Sequence, residues 1–201
     1  MLEENSALIE NVLVEKNASM PAKNLPAIYL VGPMGAGKTT IGKLLAKHLG
    51  REFVDCDWYI AKQTGADIPW IFEKEGEAGF RERETKAISE LTVLPNIIMA
   101  TGGGAVGNAQ NRQMLKQGLV IYLDASVETQ LLRTKKDKNR PLLQSGNPRK
   151  VLEELYQIRD PLYREVADII IPTGRAYPKQ MIGDILDILN DYAKKSYFSQ
   201  E

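Results

Sequence analysis

The chain has 201 residues, 43% of them hydrophobic, with 26 basic and 26 acidic side chains and so no formal net charge. That length holds one sizeable domain with a proper core, and the charge balance leaves bulk electrostatics unable to recruit nucleic acid or an acidic membrane. The one cysteine, Cys56, excludes an intramolecular disulfide and a thiolate zinc cage and fits a reducing cytoplasm; no apolar stretch reaches the roughly 20 residues of a membrane span.

Residues 1–25 precede the first predicted strand. They begin Met1-Leu2-Glu3-Glu4, acidic where an export signal is basic. Leu2, Leu8, Ile9, Val12 and Leu13 fit one side of a short amphipathic helix, so this extension is either a frayed tail or a docking helix. Ala27–Val31 then predicts a buried strand and Thr40–Leu49 a helix closed by Gly50 as a left-handed cap. Between them Gly32-Pro33-Met34-Gly35-Ala36-Gly37-Lys38-Thr39 fits the phosphate-binding pattern, in the strand–loop–helix context that pattern requires. Glycines let backbone N–H groups turn towards a phosphate, and the helix adds its positive end. Lys38 is placed to neutralise the β/γ-phosphates and the Thr39 hydroxyl to ligate Mg²⁺. His48 reads as a surface or partly buried residue.

Glu52–Asp55 predicts a second strand, running into Asp55-Cys56-Asp57. Strand alternation would put both carboxylates on one side, one for Mg²⁺ through water and one to accept a hydroxyl proton. Asp57 as a plain helix cap is the alternative. Cys56 has no histidine paired with it in sequence and reads as packing. Residues 57–79, with Gly65, Pro69, Gly76 and Gly79, read as an irregular insertion shaping a substrate pocket. Trp58 and Trp70 read as core or pocket wall, because no basic–aromatic interleaving marks a nucleic-acid platform. Phe80, Ala87, Ile88 and Leu91 share a face of a helical stretch, and Arg81 is taken to open a helix.

Asn96–Ala100 is the third strand, and Thr101-Gly102-Gly103-Gly104 after it allows close ligand approach or makes a tight turn. Leu119–Leu123 is the fourth, with Ser126 as cap of a helix from near Val127. The polar stretch 134–148 reads as a lid over a phosphate site or as a solvated loop. Asp168–Ile171 is the fifth strand. Strands alternating with helices imply a parallel sheet covered on both faces, with ligands bound outside the strands' carboxyl ends. Arg81, Arg140 and Arg159 suit carboxylate or phosphate recognition, but spacing alone does not bring them together.

In this order, the phosphate loop, Asp55-Cys56-Asp57, Phe80-Arg81-Glu82-Arg83-Glu84, Thr101-Gly102-Gly103-Gly104-Ala105-Val106, Arg140-Pro141-Leu142-Leu143 and Arg159-Asp160-Pro161-Leu162-Tyr163 resemble the shikimate kinase family. The likeness spans roughly residues 28–189. It implies a three-layer α/β/α phosphate-loop kinase fold with a five-stranded parallel sheet and a mobile lid, occupying residues 26–201 after the extension. It implies ATP with Mg²⁺, phosphorylation of the 3-hydroxyl of shikimate, and a cytoplasmic monomer with neither nucleic-acid nor membrane partner. The resemblance also assigns roles. Gly35, Ala36, Gly37, Lys38, Thr39 and Thr40 hold the ATP phosphates; Thr39 ligates the metal and Asp55 belongs to its outer shell. Asp57 is the base and binds shikimate hydroxyls; Arg81 and Arg159 take its carboxylate; Gly102, Gly103 and Gly104 line its ring. The Thr-Gly-Gly segment replaces the Walker B acid. Arg140 reaches the transferring phosphate. Arg133 stacks on adenine opposite Pro178, and Ala176 offers backbone contact only.

Two rival readings stand beside this one. A kinase of another small hydroxylated acid such as gluconate, or of a nucleotide, would keep the phosphate loop. A phosphorylated acceptor would ask for more positive charge than Asp57, Arg81 and Arg159 supply. A non-catalytic nucleotide-binding module would not need the two aspartates and the lid arginine.

Overall fold

A computed structural model describes residues 25–135, 147–174 and 178–198. Five strands form the sheet: β1 (Ile28–Val31), β2 (Glu52–Asp55), β3 (Ile97–Ala100), β4 (Leu119–Asp124) and β5 (Ile169–Pro172). All pairings are parallel, in the order β2-β3-β1-β4-β5, with Leu30 opposite Ala100 on one side and Ile121 on the other. β1 is central and every residue in it is buried. Its alternation sorts the core into two. Ile28 and Leu30 pack with α1 (Lys38–Leu49) and α7 (Pro178–Phe198) on one face. Tyr29 and Val31 pack on the other with α2 (Cys56–Thr64), α3 (Ile68–Thr92), α4 (Ala109–Leu115) and α6 (Pro148–Val166). A sheet dressed on both faces needs continuous apolar strands, and β1, β3 and β4 have them. α5 (Val127–Thr134) lies at the sheet's carboxyl end, against the phosphate loop. Among the described residues no helix is long and apolar enough to cross a membrane.

The helix punctuation follows local chemistry. Gly50 ends α1 at φ 63°, where its N–H reaches the Ala46 carbonyl. The Ser126 hydroxyl accepts from Thr129 N and starts α5. Phe80, Ala87, Ile88 and Leu91 form one buried stripe of α3. Leu45 of α1 is fully buried in the α1–α7 layer. Leu45→Ala is expected to cost about 2–5 kcal/mol, read as a lower urea midpoint, because the surrounding helices close only part of the cavity.

Two expectations fail in the region after β2, and one alternative of a third. Residues 57–79 are helical rather than irregular: α2 and α3 occupy them, and Gly65 and Gly76 are the joints. Gly76, at φ 70° and ψ −174°, breaks the helical path within α3, which a residue with a Cβ would resist. Arg81 therefore lies inside α3, one turn beyond that kink. Trp58 and Trp70 are exposed, 61% and 46%, so neither is core; Lys62 covers the Trp58 ring at 5.1 Å. His48 is exposed, as expected, its ring Nδ1 2.9 Å from the Leu44 carbonyl oxygen. Residues 1–24 of the extension 1–25 and most of the expected lid fall outside the described residues. Leu25 is buried, and Arg51 donates to the Leu25 and Pro26 carbonyls at 2.6 and 2.7 Å.

Candidate active site

The site forms where β1, β2 and β3 end. Gly32 leaves β1 at φ 140° with its α-carbon pressed on the Leu123 carbonyl, 2.5 Å from where a Cβ would stand. A side chain there would push the loop off β4. Gly35 and Gly37 follow at φ 75° and 99°, so the backbone curls before α1 begins. Lys38 folds back along the loop, its ammonium donating to the Gly32 and Pro33 carbonyls at 2.7 and 3.0 Å. Ala36 is buried beneath the loop, and Thr39 and Thr40 stand exposed in the first turn of α1.

Asp55 ties that helix to β2. Its Oδ2 accepts the Thr39 hydroxyl at 2.7 Å. Its Oδ1 accepts Asp57 N at 3.1 Å and Trp58 N at 3.4 Å. Asp55, not Asp57, is thus the cap of α2, and the strand alternation expected for the pair does not apply. Asp57 sits in the first helical turn, its carboxylate aimed at the glycine segment: Oδ1 is 3.1 Å from where a Cβ on Gly102 would stand. Cys56 between them is fully buried, and burial followed by the negative charge of Asp57 pushes its thiol up, away from a thiolate.

The glycine segment is walled by charge. Beside Gly102 stands the Glu84 carboxylate, and against Gly104 lies the Arg81 guanidinium. Any side chain on either glycine would collide with them. Arg81 donates to buried Glu84 at 2.7 Å and to exposed Glu77 at 2.9 Å. Burial raises the Glu84 pKa, and the Arg81 charge opposes that rise. From the opposite side Arg159 Nη1 donates to the Gly103 carbonyl at 3.2 Å, and the buried Tyr163 hydroxyl donates to the same oxygen. Arg81 and Arg159 therefore do converge, on either side of Gly103 and Gly104. Thr101 is structural, its hydroxyl on the Leu30 carbonyl at 3.2 Å.

Arg133, on α5, donates to the Gly35 and Ala36 carbonyls at 3.0 and 3.4 Å and to the Gly174 carbonyl at 3.2 Å. It bridges the phosphate loop to the segment after β5. Pro178 is exposed at the first position of α7. Arg140 and Ala176 lie outside the described residues. Glu84 and Tyr163 were not singled out from sequence. Glu84 had a signal: it occupies the apolar stripe of α3, four residues after Phe80 and four before Ile88, where a carboxylate needs a partner.

A family model described as shikimate kinase matches residues 34–190. The shikimate kinase of Psychrobacter cryohalolentis is 67% identical over 171 residues, covering 85% of this chain and 92% of its own length. That of Acinetobacter baumannii is 57% identical over 174 residues, covering 85% and 97%. The solved structure of shikimate kinase from Acinetobacter baumannii in complex with shikimate matches with a TM-score of 0.82 at 56% identity, over 84% of this chain and 95% of that one. A gluconokinase from Sinorhizobium meliloti, at 14% identity and a TM-score of 0.57 over 87% of this chain and 97% of its own, shares the fold alone. Carrying this loop, this sheet order and these relatives, the chain belongs to the shikimate kinase family.

Proposed function

We infer that the chain transfers the γ-phosphoryl group of ATP to the 3-hydroxyl of shikimate, giving ADP and shikimate 3-phosphate on the route to chorismate and the aromatic amino acids. The observation that carries this reading is the convergence of Arg81, Arg159 and Asp57 around Gly102–Gly104, next to the phosphate loop. Two guanidiniums suit one carboxylate, and a carboxylate facing a glycine wall suits a ring bearing hydroxyls. The exposed Glu77 arm of Arg81 is the contact a substrate carboxylate would replace, since an exposed pair is worth little.

Asp57 accepts the hydroxyl proton as the substrate oxygen attacks the γ-phosphorus and ADP leaves. Lys38 turns from the Gly32 and Pro33 carbonyls to the phosphates and neutralises them. Thr39 and Asp55 fit Mg²⁺: both offer hard oxygen donors, 2.7 Å apart, and would hold the ion with Thr39 as ligand and Asp55 in its outer shell. Held there, the ion would supply positive charge to offset that of the ATP phosphates. Arg133 and Pro178 would form the adenine slot; the ATP roles of Ala176 and Arg140 are carried by the family likeness, both residues lying outside the described ones. Residues 26–201 form the kinase domain, a monomer of the cytoplasm, and 1–25 an extension. Sedimentation as a single 22.5 kDa species checks the monomer.

The test is ADP release with ATP and Mg²⁺, comparing shikimate, gluconate and a nucleoside monophosphate. Turnover with shikimate alone is the expected result. Turnover with another acceptor instead would keep the phosphate loop and discard the roles of Asp57, Arg81 and Arg159.

A further inference from the structure

Gly103 is a junction. Its carbonyl accepts from two side chains one turn apart on α6, Arg159 and Tyr163. On its other side it rests on the phosphate loop: a Cβ on Gly103 would stand 3.4 Å from Met34 N and 3.6 Å from the Gly32 carbonyl oxygen. Because the peptide is planar and trans, the direction of the Gly103 carbonyl also sets the direction of the Gly104 N–H.

The Tyr163 hydroxyl is separable from its ring. The ring is buried and stacks on Tyr122 with centroids 4.9 Å apart, packing that a phenylalanine would keep. α6 does not depend on that hydroxyl for its place. Arg164 ties Asp160 to Asp124 on β4, each at 2.8 Å, and Tyr122 donates to Asp160 at 2.8 Å. Only the phenol and the guanidinium hold the Gly103 oxygen from this helix.

We propose that the Tyr163 hydroxyl is a positioning group of the acceptor site: by sharing the Gly103 carbonyl with Arg159 it fixes that peptide and leaves the guanidinium directed at the substrate carboxylate. Without it, Arg159 is the sole donor from α6 to a buried carbonyl and is drawn from substrate to backbone. The inference rests on the assignment of Arg159 and Gly103 to shikimate.

Tyr163→Phe tests it, with Tyr122→Phe removing a neighbouring phenol that does not touch Gly103. Shikimate binding by calorimetry, KM for shikimate and for ATP, and Tm are measured for both and for the unaltered protein. Tyr163→Phe is expected to weaken shikimate binding and raise its KM by about five- to tenfold, with the ATP KM within about twofold. Tyr122→Phe is expected to lower Tm at least as much while leaving shikimate binding within about twofold. Unchanged shikimate affinity in Tyr163→Phe, equal weakening towards both substrates, or the same weakening in Tyr122→Phe would overturn the proposal. An unaltered protein that binds ATP but not shikimate would instead overturn the acceptor assignment, and the inference with it.

Discussion

Asp57→Asn is expected to lower turnover with shikimate by about 10²–10⁴-fold while ATP binding is retained. The geometry makes this a clean substitution. The Asp57 backbone is held by the Asp55 cap, which accepts its N–H whatever the side chain is. The carboxylate faces Gly102, 3.1 Å from where a Cβ there would stand, so the space admits an isosteric amide without rearrangement. The amide can hydrogen-bond a hydroxyl but cannot take its proton. Single-turnover ADP formation at saturating substrates, beside calorimetric binding of an ATP analogue, separates the two effects. A variant retaining more than about a tenth of the turnover would remove Asp57 as the base and leave it an orienting group.

Arg81→Ala carries two consequences at once. On the proposed assignment shikimate loses one of two carboxylate partners, so its KM is expected to rise by about 10²-fold, as for a charge-assisted contact of about 3 kcal/mol, while the KM for ATP holds. The fold loses as well. Glu84 is fully buried and paired with Arg81 at 2.7 Å, and removing the arginine strands a charge in the interior. That costs about 3 kcal/mol, at the low end for buried pairs because Arg81 is itself 24% exposed.

The pH dependence has a definite sign. Burial already raises the folded-state pKa of Glu84, and without Arg81 nothing of comparable strength opposes it. A carboxyl whose folded pKa exceeds its unfolded value binds its proton more tightly when folded. Its penalty is absent below the unfolded value of about 4.3 and grows as pH rises through the folded pKa. The urea midpoint of Arg81→Ala should therefore fall further behind that of the unaltered chain as pH rises above the unfolded value of about 4.3 towards the raised folded one. A gap constant across that range would mean that water reaches Glu84 once the arginine is gone. Arg81→Ala and Glu84→Gln combined should restore part of the stability without restoring the shikimate KM, because only the stranded charge is repaired.

Much of this site was legible in the chain because its signals are local. The phosphate loop requires glycines at fixed offsets between an apolar strand and a helix, and all of these are adjacent in sequence. Gly50 and Ser126 announce helix ends through conformational freedom and a hydroxyl cap, which also act within a few residues. Where local signals conflicted, the reading failed. Gly65, Gly76 and Gly79 looked like a loop, yet α2 and α3 run through the region, because Ile60, Ile71 and Phe80 have a core to bury against and glycine's helical penalty of about 1 kcal/mol is smaller than that gain. For the tryptophans only the core alternative fails, because the faces of α2 and α3 that carry Trp58 and Trp70 meet solvent.

By itself the sequence determined the alternation of strands and helices, the parallel sheet and the phosphate loop. Each follows from periodicity or from chemistry within a short window. The tertiary structure alone decided that Arg81 and Arg159, 78 positions apart by their numbers (159 − 81), meet across Gly103 and Gly104. It alone decided that Glu84 is the buried counter-charge of one arginine and Tyr163 the companion of the other. Those pairings depend on β3 lying beside β1 and on α3 and α6 packing over the same sheet face. Long-range contacts of this kind leave no periodic trace in a single chain, since a buried carboxylate or phenol is recognised only by what the fold places opposite it.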